Sequence, residues 1–158
     1  MTLLQFHVAM SLIGLASGYV VVYGLLAGRS SRGWTSVFLA TTILTSATGF
    51  PLPPFGFDPA RAIGALSLVL LGLAVIAFYF AHLKNAWRLI YIVTAMTALY
   101  LNTFVAVIQS FMKVPALQAL APTQSEPPFV VTQVVALVIF VVIGVLSGRN
   151  FHPKVAYA

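Results

Sequence analysis

The side chains able to do chemistry in this chain are few, neutral and set inside long apolar runs. Tyr91, Ala95, Ala98, Asn102, Ala106, Gln109 and Lys113 recur at spacings of three and four, which on a helix forms one stripe of small and polar residues. His7, Ser11, Gly14 and Gly18 share a face in the same way, and "GLASG" is a small-xxx-small pattern that lets helix backbones approach closely. Thr45 and Ser46 close a hydroxyl-rich run, and Gln133 lies within the last apolar run. Amides, hydroxyls and one imidazole can exchange hydrogen bonds between helices or hold a carbonyl-bearing amphiphile such as a quinone. Burying such groups without a partner costs a few kcal/mol each.

Other chemistry has no residues to carry it. The chain has no cysteine, so thiolate ligation, disulfides and thiol catalysis are excluded. Neither a Gly-rich phosphate loop nor a nucleophile with an acid–histidine pair is present, so no catalytic residue is expected. The three histidines are His7, His82 and His152. Only His82 and His152 fall on the same side of the topology derived below. Bis-histidine haem ligation would need imidazoles at one depth on facing helices. His7 with Met10 or Met112 is a thin set for a soft metal. The expectation is no metal site, with haem or a quinone as the cofactor of an alternative reading.

The elements that must position these residues are transmembrane helices. Only 6% of the 158 residues are charged, against about 25% in soluble domains. A bilayer core needs roughly 20 helical residues to cross it, and five runs meet that: 3–27, 34–50, 59–83, 86–112 and 127–147. The second is the shortest. The first has no Lys or Arg before it and is long for a signal-peptide core, so it reads as a retained span. The fold class expected is an all-α, polytopic helical bundle forming a single domain over 1–158.

Charge orients it. Arg29, Arg32, Lys84, Arg88, Arg149 and Lys154 follow the odd-numbered spans, whereas Asp58, Arg61, Lys113 and Glu126 lie in the other connections. The Lys/Arg excess marks the cytoplasmic side, which puts the N-terminus outside and the C-terminus inside. Trp34 and Trp87 fall at the same cytoplasmic ends. The net charge of +6 is scattered singly rather than forming a nucleic-acid patch. Both acids read as helix-start devices: Asp58 caps before Pro59, and Ser125 caps with Glu126 in the first turn and Pro127 and Pro128 behind it. With no Asp, Glu, Lys or Arg mid-span, carboxylate-coupled transport is disfavoured.

On this topology His7, Thr45, Ser46, Asn102, Gln109 and Gln133 collect in the outer half of the membrane as a candidate polar pocket. Gly14 and Gly18 are the expected helix-packing residues. The leading functional reading is a non-enzymatic helical subunit or scaffold, with the bilayer and other membrane helices as partners. A quinone or haem module and a facilitator for a neutral solute are the alternatives. The stretches "TTILTSATGFP", "ALYLNTFVAVIQSF" and "LAPTQSEPPF" together resemble an uncharacterised family of small bacterial polytopic membrane proteins. That resemblance implies a bacterial inner membrane location and brings no activity, cofactor or site.

Overall fold

The computed structural model describes residues 2–53 and 59–152. Among these the ordered elements are all helices: α1 (Leu3–Leu26), α2 (Arg32–Gly49), α3 (Pro59–Val75) continuing as a π-helical turn over Ile76–Phe80, α4 (Trp87–Lys113), α5 (Pro115–Leu120) and α6 (Pro127–Asn150).

Local sequence explains most boundaries. Thr2 Oγ1 accepts the Gln5 N–H at 3.2 Å and Gln5 Oε1 accepts the Thr2 N–H at 2.9 Å, a capping box that starts α1. Gly28 ends that helix region with φ +70°, which glycine adopts without Cβ strain. The third run stops earlier than its apolar composition suggests. Hydrogen bonding widens at Ile76, and His82, Leu83 and Asn85 then take φ of 51°, 57° and 50°, left-handed backbone that cannot continue a helix. Polar ends extend the other runs: α4 reaches Lys113 and α6 reaches Asn150.

The start of α6 also differs from expectation. Its N-cap is Glu126 rather than Ser125, and the Glu126 side chain makes no bond to the helix. The carboxylate turns back into the connection, accepting the Thr123 hydroxyl at 2.8 Å and the Thr123 and Ser125 N–H groups at 3.1 Å each. Desolvation acts to raise the Glu126 pKa, but these hydrogen bonds outweigh it and hold the carboxyl below its usual range. The cap expected at Asp58 lies outside the described residues.

Four helices among the described residues are long and apolar enough to cross a membrane: α1, α3 with its π turn, α4 and α6. The run at 34–50 is the difference from the five read in sequence. Its helix, α2, has 18 residues, about 27 Å at 1.5 Å per residue, and Thr35, Ser36, Thr41, Thr42, Thr45, Ser46 and Thr48 dilute its apolar character. It is nevertheless an integral wall of the bundle. Successive long helices run antiparallel, α1 packs on α2, α2 on α3 and α3 on α4, and α6 rests between α4 and α1.

The core lies where these helices converge. Phe38 and Leu39 of α2, Leu71 and Ala74 of α3, and Tyr91, Ala95, Ala98 and Leu99 of α4 are buried together with Val21, Val22 and Leu25 of α1. Association in lipid depends on close packing rather than on expelling water, which accounts for small residues at the seams. Among α6 residues only Gln133 and Ser147 are buried, and its valines, leucines and isoleucines face outward around most of its circumference. That surface fits hydrocarbon. Phe140 keys α6 to the bundle, with its ring centroid 6.4 Å from Tyr19 and 5.6 Å from Tyr100.

Candidate functional site

Asn102 is held between α1, α2 and α4. Its Oδ1 accepts the Ser11 hydroxyl at 3.0 Å, and its Nδ2 donates to the Ser11 carbonyl at 3.4 Å. Ser11, on α1, therefore satisfies both ends of the amide. Gly14 makes the approach possible. A methyl added there would lie 2.9 Å from Thr42 Oγ1 and 3.5 Å from Asn102 Nδ2. One turn later a methyl at Gly18 would lie 2.5 Å from Leu99 Cδ1 and 3.0 Å from the Phe38 ring. The glycine face is thus occupied within the chain, by α2 and α4. A space too tight for a methyl group at Gly14 leaves no room for a quinone ring at that point.

The remaining residues of the expected pocket have separate local roles. His7 Nδ1 lies 3.1 Å from Thr48 Oγ1, pairing α1 with the end of α2. Thr45 is buried and donates to the Thr41 carbonyl at 2.9 Å. Ser46 is half-buried beside the start of α3, where its carbonyl approaches Gly64. Gln133 donates to the Phe104 carbonyl at 3.2 Å, which ties α6 to α4. Gln109 is exposed. The polar groups therefore act as separate links along the helix seams, with Asn102–Ser11 and His7–Thr48 nearest one another because Ser11 follows His7 by one helical turn.

Most hydroxyls of α2 close onto their own helix. Ser36, Thr41 and Thr48 donate to the carbonyls of Arg32, Val37 and Leu44 at 2.7, 2.7 and 2.6 Å, the turn-back bonding that serine and threonine make inside helices. Thr42 Oγ1, Gln133 Oε1 and Ser147 Oγ are buried without a partner. They lie on different seams and do not converge. Among the described residues no three His, Asp or Glu side chains gather as a metal site would require.

The opposite end of the bundle holds a feature that residue spacing did not reveal. A cavity of about 380 Å³ is lined by Ser30 and Arg32 before and within the first turn of α2, Phe78 and Tyr79 of the π turn, and His82 and Leu83 beyond it. The Arg32 guanidinium lies 5.6 Å from the Tyr79 ring centroid. The Tyr79 hydroxyl is 2.5 Å from Ser36 Oγ, which fixes the ring. The sequence signal was present in "AFYFAHL" opposite "RSSRGW", but its meaning depends on the π turn and the antiparallel pairing of α2 with α3.

The same end is tied together by side chains that sequence analysis treated only as charge. Arg88 donates to the Gly148 carbonyl at 2.9 Å and also to that of Phe151, covering carbonyls left free where α6 ends. Asn150 donates to the Leu26 carbonyl at 3.1 Å, joining the ends of α6 and α1. Comparison with protein-family models, with curated proteins and with solved structures finds no match.

Proposed function

We propose that this chain is a multi-pass protein of a bacterial inner membrane, crossing it five times with the N-terminus outside, and that it serves as a non-enzymatic helical subunit or scaffold of a membrane complex. The observation that carries the reading is the use made of its polar side chains. Ser11, His7, Thr35, Ser36 and Gln133 bond across helix seams to Asn102, Thr48, Tyr91, Tyr79 and the Phe104 carbonyl. Groups spent on holding helices in register support a structural part more than a reaction site. The outward apolar surface of α6 supplies the bilayer contact that such a part needs.

In this reading α2 is the fifth crossing. Its turn-back hydroxyls hide polarity from lipid, and its position between α1 and α3 spares it a fully lipid-facing circumference. The test of the subunit role is crosslinking in native membranes followed by solubilisation. A reproducible crosslinked species of defined stoichiometry, either self or with another membrane protein, is the expected result. Recovery of the chain only as a lone monomer overturns the subunit role and leaves the membrane bundle standing.

A further inference from the structure

We infer that the cavity between the start of α2 and the end of α3 binds the phosphate of an anionic membrane lipid at the basic end of the bundle. The inference rests on the chain crossing a bilayer. Beyond that it depends on charge, depth and shape at one location.

Charge comes first. Arg29, Arg32, Lys84, Arg88 and Arg149 gather at this end, where the helix contacts bring together the end of α1, the start of α2, the end of α3, the start of α4 and the end of α6. The acid among the described residues, Glu126, lies at the start of α6, at the far end of the bundle. Among the described residues no carboxylate is therefore at hand to neutralise Arg32. Its guanidinium instead rests on the Tyr79 ring. Among the described residues its N–H groups make no hydrogen bond, and a guanidinium can meet a phosphate with two parallel hydrogen bonds. Ser30 and His82, also in the lining, add a hydroxyl and an imidazole donor.

Depth selects a lipid over a dissolved anion. Trp34 and Trp87 are exposed near this level, and exposed tryptophan favours the headgroup region. The cavity lining combines the polar Arg32, Ser30 and His82 with the apolar or aromatic Phe78, Tyr79 and Leu83. A headgroup phosphate with its glycerol region presents the same mixture of polar and apolar surface. Its volume of about 380 Å³ falls within the ordinary range for small-ligand sites, about 300–1,000 Å³. Basic pockets between transmembrane helices are a recurrent means of holding anionic headgroups.

The test uses the purified full chain. Insertion into phosphatidylcholine nanodiscs tests the membrane reading alone, before any anionic lipid is present. Phosphatidylglycerol, phosphatidylcholine and inorganic phosphate are then titrated separately onto protein in neutral detergent, with bound lipid counted by native mass spectrometry and thermal midpoint followed in parallel. The wild type is expected to retain one phosphatidylglycerol in preference to phosphatidylcholine. Arg32→Gln should weaken that binding about tenfold or more, as loss of a charge-assisted phosphate contact implies, while Arg149→Gln, at the same end but outside the cavity, changes it less than about twofold. Should Arg32→Gln fail to fold, Ser30→Asp, which sets a like charge at the mouth, must give the same selective loss. Equal weakening by Arg32→Gln and Arg149→Gln overturns the site in favour of diffuse attraction, and protection by inorganic phosphate without phosphatidylglycerol binding overturns the lipid assignment.

Discussion

Asn102 was legible as the polar residue with most at stake, because an amide on a small-residue stripe within an apolar run must find a partner. Which partner it finds was not legible. Ser11 is 91 residues away in sequence, and the pairing depends on how closely Gly14 lets α1 approach. Asn102→Leu is expected to destabilise the bundle by about 0.6–2 kcal/mol. A double-mutant cycle with Ser11→Ala, read by thermal or denaturant melts in detergent, should show coupling between the two positions. Additive losses would mean that the amide and the hydroxyl act independently. Glu126 makes a second residue-scale prediction. The fold lowers its pKa, so its contribution is complete above the ordinary carboxylate range and disappears as pH falls through the lowered value. Wild type and Glu126→Gln should therefore differ in melting temperature at neutral pH and converge once the pH has fallen below that lowered value. A difference that persists in acid would assign the effect to something other than the carboxylate.

At the scale of elements, helical periodicity read α1 and α4 well, since the stripe from Tyr91 through Ala95, Ala98 and Asn102 is the buried face. It failed past Asn102: Gln109 continues the spacing but is exposed, while Phe111, off that stripe, is buried against Phe129 of α6. The glycine face of α1 was recognised as a packing surface, but its occupant could not be known from a motif that serves contacts within and between chains equally. Gly18→Ala tests the intramolecular assignment. Alanine gains up to about 1 kcal/mol of helix propensity, yet its methyl must displace Leu99 from a 2.5 Å approach, and overpacking typically costs about 1–3 kcal/mol. Net loss of stability in the isolated monomer is expected, with Gly18→Leu more severe than Gly18→Ala. If Gly18→Leu leaves the monomer's stability unchanged and alters only association, the face belongs to an intermolecular contact. The π turn at the end of α3 had no sequence signature at all. Ile76–Phe80 reads as ordinary apolar helix, and only the hydrogen-bond pattern ending at Leu83 reveals the widening.

For the whole molecule, composition alone pointed to an all-helical class with helices apolar enough to cross a membrane, and charge distribution separated the two ends. The antiparallel packing brings the basic residues of successive connections to one end. What composition could not decide is the standing of α2, whose hydroxyls lower its apolar character while their bonds to its own backbone conceal it. Because the chain has no native cysteine, single cysteines placed at exposed Ala27, Pro53, Ala86 and Gln118 report sidedness without background. Labelling with a membrane-impermeant maleimide in intact spheroplasts, before and after permeabilisation, tests five crossings directly. Pro53→Cys and Gln118→Cys are predicted to react at once, and Ala27→Cys and Ala86→Cys only after permeabilisation. Ala27→Cys and Pro53→Cys reacting alike would show that α2 does not cross, and immediate labelling of all four would contradict a membrane-spanning bundle.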